Sequence, residues 1–157
     1  MFLHIVVQAT LYRWTYLLSK KSEATEHVMS LLKRLKTKFK RWPITVIHAD
    51  QGGEFLGNEV AVYCRDEGIE QQFTNGYSSQ GNSIIERSNR VVVERFRSLL
   101  RATMLPNLLW GEAMHHAVYT INRTPSKVLA FKALYELLEG TPPDRSLQRT
   151  SCCVTQM

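Results

Sequence analysis

Two carboxylates stand where they could hold a metal ion. Asp50 lies in "HADQGGEF" (48–55), at the end of an apolar run and just before Gly52 and Gly53, and no aspartate precedes it. Glu86 lies in "GYSSQGNSIIERSNR" (76–90), behind a polar, glycine-containing stretch, with residues 51–85 between the two acids. A hard cation such as Mg²⁺ prefers oxygen donors and keeps several of its waters, so a carboxylate pair suits it. Two such ions, roughly 3.5–4 Å apart, activate an attacking oxygen and stabilise a leaving one in displacement at phosphate. The same residues also fit a plainer description. Asp50 is then a turn residue, and Glu86 an acid favoured at the positive end of a helix.

The elements that must position them can be read from periodicity. Residues 2–8 ("FLHIVVQ") and 11–18 ("LYRWTYLL") are β-branched and aromatic and predict a hairpin. Ser22 then reads as an N-cap for a helix whose stripe is Val28, Leu31, Leu32, Leu35 and Phe39, closed by Pro43. "ITVIHA" (44–49) is suited to a buried strand, which puts Asp50 at its carboxyl end, where open α/β sheets place their sites. A helix over about 57–67 stops at Gly68, and "IEQQF" (69–73) is a fourth strand. Residues 74–82 read as a mobile loop before a helix over 83–103, with Ile84, Ile85, Val92, Phe96, Leu99 and Leu100 inward and Glu86 one turn in. Pro106 opens another helix, with Trp110, Met114, Val118 and Ile121 inward, and one short helix is expected near "ALYELLEG". The order β-β-α-β-α-β-α-α predicts a mixed α/β sheet flanked by helices.

At 157 residues the chain is long enough to bury a core, and its 44% hydrophobic and 22% charged residues are those of a globular protein. No apolar stretch reaches a membrane span, and "MFLHIVVQATL" lacks a basic leader, so no membrane partner is expected. Cys64, Cys152 and Cys153 do not make a disulfide framework, which points to reduced thiols and an intracellular setting. His4, His27, His48, His115 and His116 lack zinc-ligand spacing with the cysteines, so no zinc site is expected. The net charge of +6 permits a polyanionic partner.

Four segments together resemble the integrase core of copia-type LTR retrotransposons and, more distantly, retroviral integrases. "WTYLLSKKSE" (14–23) is similar to the family's third strand, "HADQGGEF" to the segment with its second catalytic Asp, and "GYSSQGNSIIERSNR" to the segment with its catalytic Glu. "LPNLLWGEAMHHAVYTINRTPS" (105–126) is similar to the helix after the core. The resemblance implies an RNase H-like fold and makes Asp50 and Glu86 catalytic and metal-binding residues. It implies Mg²⁺ or Mn²⁺, weakly bound, and DNA as partner. It also implies self-association into a homo-oligomer, a nuclear setting for a functional copy, and no small-molecule substrate. Residues 1–122 then form an integrase catalytic-core-like domain, truncated at its N-terminus, and 123–157 an irregular C-terminal extension.

The chain also departs from that family. Its site is Asp, Asp and Glu, yet nothing before position 50 supplies the first Asp, and the central first strand that carries it is absent. The strands at 2–8 and 44–49 should therefore either pair directly or leave an edge open. Val7 and Gln8 stand where the family has acids, Gly76 and Ser79 where it has prolines, and Ser83 where it has glycine; "RTSCCV" is less apolar than usual. These changes look like drift in a decayed copy.

Arg87, Arg90, Arg97 and Arg101 recur at helical spacing beside Glu86 and could track a DNA backbone; Glu94 interrupts them, as on an ordinary solvated face. The resemblance adds Gln80, Asn89 and Arg90 as residues close to DNA. Lys33, Arg34, Lys36, Lys38, Lys40 and Arg41 read as a solvated outer face, and Trp42 and Trp110 as packing residues rather than base-stacking platforms. Three functions follow. The chain is a fragment of a metal-dependent polynucleotidyl transferase, inactive without its first Asp; or it is a nucleic-acid-binding remnant; or it is a protein-interaction domain on the same scaffold.

Overall fold

The computed structural model describes residues 1–50, 57–74 and 79–144; the segment 51–56, the residues 75–78 that include Gly76, and the tail with "RTSCCV" lie outside them. The chain divides into two compact units, Met1–Leu3 with Tyr16–Ile84, and His4–Thr15 with Ile85–Met157.

Strands β1 (Phe2–Val6) and β2 (Arg13–Leu17) form the expected hairpin. Val7 N–H donates to the Tyr12 carbonyl and Leu18 N–H to the Met1 carbonyl, both at 3.0 Å, which fixes an antiparallel register. Leu11 closes the turn at φ +57°, a left-handed conformation that costs a side-chain-bearing residue on the order of 1 kcal/mol.

Helix α1 (Glu23–Lys38) buries Ala24, Val28, Leu31, Leu32 and Leu35, the stripe its periodicity predicts. Ser22 does not cap it. Its backbone is already helical (φ −60°, ψ −26°), and a capping hydroxyl needs an extended residue to reach the free N–H groups. The first N–H groups are met by the preceding turn instead, Glu23 N–H donating to the Lys20 carbonyl at 3.2 Å and Ala24 N–H to the Lys21 carbonyl at 3.1 Å. Helix α2 (Asn58–Asp66) buries Val60 and Cys64 and packs on α1. Thr25 Oγ1 accepts from Gly57 N–H at 3.2 Å and so ties the start of α2 to α1. Gly68 follows at φ +67°, with open space about its α-carbon; glycine is favoured there by the backbone conformation, not by crowding.

Strands β3 (Val46–Asp50) and β4 (Glu70–Thr74) pair in parallel, with Val46 opposite Glu70 and Asp50 opposite Thr74. With α2 between them they make a β-α-β unit. Among the described residues the hairpin and this pair are separate two-stranded sheets, so the strands at 2–8 and 44–49 do not pair directly. The expectation of a buried β3 fails for the same reason. With one strand beside it, Val46, Ile47 and Ala49 are half-buried and His48 is exposed.

Helix α3 (Ser79–Thr103) starts four residues earlier than its apolar pattern predicts, taking in part of the expected loop. Helix α4 (Trp110–Arg123) follows a short 3₁₀ turn (Asn107–Leu109) and buries Gly111, Ala113, Met114, Ala117, Val118 and Asn122. Its small residues let neighbours come close around Met114, which is wholly buried. Helix α5 (Leu134–Glu139) is the short helix expected near "ALYELLEG"; it packs on α4 through Leu134 and ends at Gly140 (φ +76°). Trp42 is not a packing residue, since it is 75% exposed beyond the end of α1. Among the described residues no helix is long and apolar enough to cross a membrane.

Candidate catalytic site

Asp50 is the last residue of β3, beside Thr74 at the carboxyl end of the parallel pair. The polar ends of parallel strands, left by a crossover helix, are where α/β sheets carry their ligands.

Glu86 belongs to the second unit, on the part of α3 that runs from Ile85. It is exposed. With α3 beginning at Ser79, Glu86 lies two turns inside the helix, not one. That distance removes the plain explanation for an acid here, because the helix dipole acts within the first turn. Among the described residues neither Glu86 nor Arg90 takes an ion-pair partner.

The rest of α3 sorts cleanly by side. At 100° per residue, Ile84, Ile85, Ser88, Val92, Phe96 and Leu99 share one face, and Ser88 and Val92 on it are buried. Arg87, Arg90, Arg97 and Arg101 are all exposed on the opposite stripe, which runs about 21 Å at the helical rise. Exposed Glu94 lies within it. Asn89 is half-buried, and its amide oxygen is buried without a hydrogen-bond partner. Gln80 belongs to the first turn of α3, and its side chain lies outside the description.

The second unit also holds a polar cluster that the apolar pattern does not reveal. Arg13 Nε donates to Ser88 Oγ at 2.7 Å, and the same oxygen lies 2.8 Å from His4 Nε2. Burial, and then the Arg13 charge, push the His4 imidazole down from 6.5 to about 4, so it is neutral near pH 7. A serine against a neutral histidine resembles a nucleophile with its base. Here Ser88 is 3% exposed, and its third partner is a guanidinium rather than a carboxylate, so the cluster holds α3 against the hairpin. One signal could have found it: Ser88 falls on the inward stripe, one turn before Val92.

No family model matches the chain. It is 35% identical over 131 residues, 83% of its length, to the retrovirus-related Pol polyprotein from transposon TNT 1-94 of Nicotiana tabacum. It is 31% identical over 144 residues, 92% of its length, to that from transposon RE1 of Arabidopsis thaliana. The Transposon Ty1-DR6 Gag-Pol polyprotein of Saccharomyces cerevisiae is 26% identical over 127 residues, 80% of the chain. The chain spans 10%, 10% and 7% of these three polyproteins. In structure it matches the catalytic core domain of BIV integrase with a TM-score of 0.63 at 16% identity, covering 88% of this chain and 85% of that one. The chain is therefore a homologue of one segment of copia-type and Ty1 retrotransposon polyproteins, and its fold is the RNase H-like fold of a retroviral integrase catalytic core.

Proposed function

We propose that this integrase-like domain serves DNA strand transfer, with Asp50 and Glu86 supplying two carboxylates of a divalent-metal site. The donor chemistry fits Mg²⁺ or Mn²⁺: both groups offer hard oxygens, and two carboxylates leave positions for water and phosphate. The bound ions would polarise the phosphate and activate the attacking oxygen. The chain's own part is to hold and to orient. Asp50, at the end of a strand, holds its ligand from a stiff backbone. Glu86 does so from the interior of a long helix. Arg87 and Arg90, on the stripe that continues from Glu86, hold backbone phosphates and fix the register of the DNA, with Gln80 and Asn89 adding polar contacts.

The observation that carries the reading is Glu86 itself. A carboxylate two turns into a helix, exposed, beside two exposed arginines and without an ion-pair partner among the described residues, is open to a ligand from solvent. A second reading has its own support. A scaffold that binds nucleic acid without catalysis needs only the exposed arginines of α3, which are there whether or not a metal binds. Residues 1–49 contain no aspartate, so the test appends an N-terminal strand bearing one and assays strand transfer on a DNA oligonucleotide with Mg²⁺ or Mn²⁺. Catalysis predicts product that Asp50→Asn and Glu86→Gln each abolish. DNA binding with no product in any metal supports the non-catalytic reading. Product that survives both substitutions rules out the proposed site.

A further inference from the structure

We propose that the C-terminal end of α1, with Trp42 just beyond it, is a second nucleic-acid-binding surface: its cations hold the phosphates of a single strand, and Trp42 stacks on one of the bases. The proposal does not rest on the catalytic reading, because every residue it uses lies in the first unit, away from Glu86, Arg87 and Arg90 in sequence.

The charge is concentrated to an unusual degree. Lys33, Arg34, Lys36, Lys38, Lys40 and Arg41 fall within nine residues that contain no acid. The whole chain has a formal net charge of +6, so the remainder is neutral in sum. All six side chains are exposed. An ordinary solvated helix face intersperses signs and gains from opposite charges three or four residues apart. This one does the reverse. Arg34 and Lys38, and Lys33 and Lys36, are like-charged neighbours at those spacings in α1, and each such pair weakens a helix. The helix dipole accounts for cations in the last turn, which are Lys36 and Lys38. A salt bridge to Glu67, just past the end of α2, accounts for Lys36 again. Neither accounts for the rest, and a polyanion does.

Lys33, Lys36, Thr37 and Lys40 line a groove with Tyr63 of α2 and Glu67 just past its end, and the Lys36–Glu67 salt bridge crosses it. Trp42 follows Arg41 directly in the chain; its N–H donates to the Phe39 carbonyl at 2.9 Å, and its side chain is 75% exposed. An indole left in water next to a run of cations is an arrangement with which single-strand binders hold a base, since every base has a face to stack. The bases of an intact duplex are stacked on one another, which is why the surface is assigned to a single strand.

The test measures binding of a fluorescent oligothymidine and of the matching duplex to the 157-residue chain across a salt series, with heparin as an anion that has no bases. Replacing Lys33, Lys40 and Arg41 together by Gln should lower the single-strand salt slope by about two. Trp42→Ala should weaken single-strand binding about 5- to 100-fold and leave heparin binding unchanged. Far-UV circular dichroism and urea midpoints keep folding in view, and exposed positions should leave both unmoved. An unchanged salt slope in the triple variant would overturn the cationic groove. Equal single-strand affinity in Trp42→Ala, or an equal loss for heparin, would overturn the stacking role. An Arg87→Gln, Arg90→Gln pair separates the two surfaces: dependence on Trp42 should persist in it, and its disappearance there refutes an independent site.

Discussion

The hydroxyl oxygen of Ser88, on α3, lies 2.8 Å from Nε2 of His4, on β1. This contact joins elements 84 residues apart in sequence, within the unit that carries Glu86 and Arg90. It fixes which side of α3 faces the hairpin, and so which side is left for Glu86 and the arginines.

The burial of His4 in this cluster makes stability depend on pH. Folded His4 titrates near 4, against 6.5 for an ordinary histidine, because burial and Arg13 disfavour its charged form. Between those values the unfolded chain binds a proton that the folded chain refuses. Stability is therefore unaffected by His4 above about pH 6.5, falls as pH drops through the window, and has lost its full share below about pH 4. The share is on the order of 3 kcal/mol at most. Urea denaturation of the wild type and of His4→Gln, at about pH 7.5 and about pH 4.5, measures it. The wild type should lose more stability on acidification than the variant. Parallel losses would mean that other groups carry the pH dependence.

Asn122 should be costly to replace. Its Oδ1 accepts from the Arg13 backbone N–H at 3.2 Å, and its Nδ2 donates to the Arg13 carbonyl at 2.8 Å. One side chain, 2% exposed, thus pairs both backbone groups of a β2 residue as a neighbouring strand would. Asn122→Leu keeps the branched shape at somewhat greater bulk and leaves both groups unpaired, for a loss of about 2–4 kcal/mol in chemical denaturation. A loss under about 0.5 kcal/mol would show that water reaches Arg13 and replaces the amide.

Where the sequence could be read, it was read through local signals. The stripe of α1, the glycine that stops α2 and the β-branched hairpin are short-range features, and each element forms where they place it. The start of α3 was hidden because Ser79, Gly81 and Asn82 are poor helix formers, yet they join a helix that apolar contacts further along sustain. Ser22 has a capping residue's chemistry but not its backbone. Trp42 and β3 were both expected inside, since size and apolarity imply burial only when something is there to cover them. Asp50 and Glu86 stood out by resemblance rather than by spacing. Ser88 and Asn122, which hold the second unit's polar contacts, carry no chemical signature, because their roles depend on partners 84 and 109 residues away.

The arginine stripe predicts how duplex DNA binds. Each exposed arginine that meets a phosphate releases counterions, so affinity should fall steeply with salt and vary little with sequence. Arg90→Ala should weaken binding to every duplex alike and reduce the salt slope by about one. A change confined to one sequence would make Arg90 a base-reading residue instead. No duplex binding at low salt would leave the stripe a solvated face.

The metal prediction separates Asp50 and Glu86 from coincidence. Mg²⁺ gives up water reluctantly and binds through one or two carboxylates with phosphate oxygens completing its shell. In the proposed site Asp50 and Glu86 serve that purpose, so binding of the ion alone should be weak and should strengthen when a DNA oligonucleotide is added. Mn²⁺ reports this directly, because the resonance of the free ion disappears as it binds. Titrating Mn²⁺ into the wild type, Asp50→Asn and Glu86→Gln, each with and without oligonucleotide, should show both variants losing most of the oligonucleotide-dependent uptake. Neither amide can replace the charge that holds a divalent ion, although each keeps the size of the acid. An Asp50→Asn curve that overlays the wild type would remove Asp50 from the site and return it to the role of a strand-end turn residue. Uptake lost in Glu86→Gln alone would place the ion on α3, beside the arginines, without the sheet.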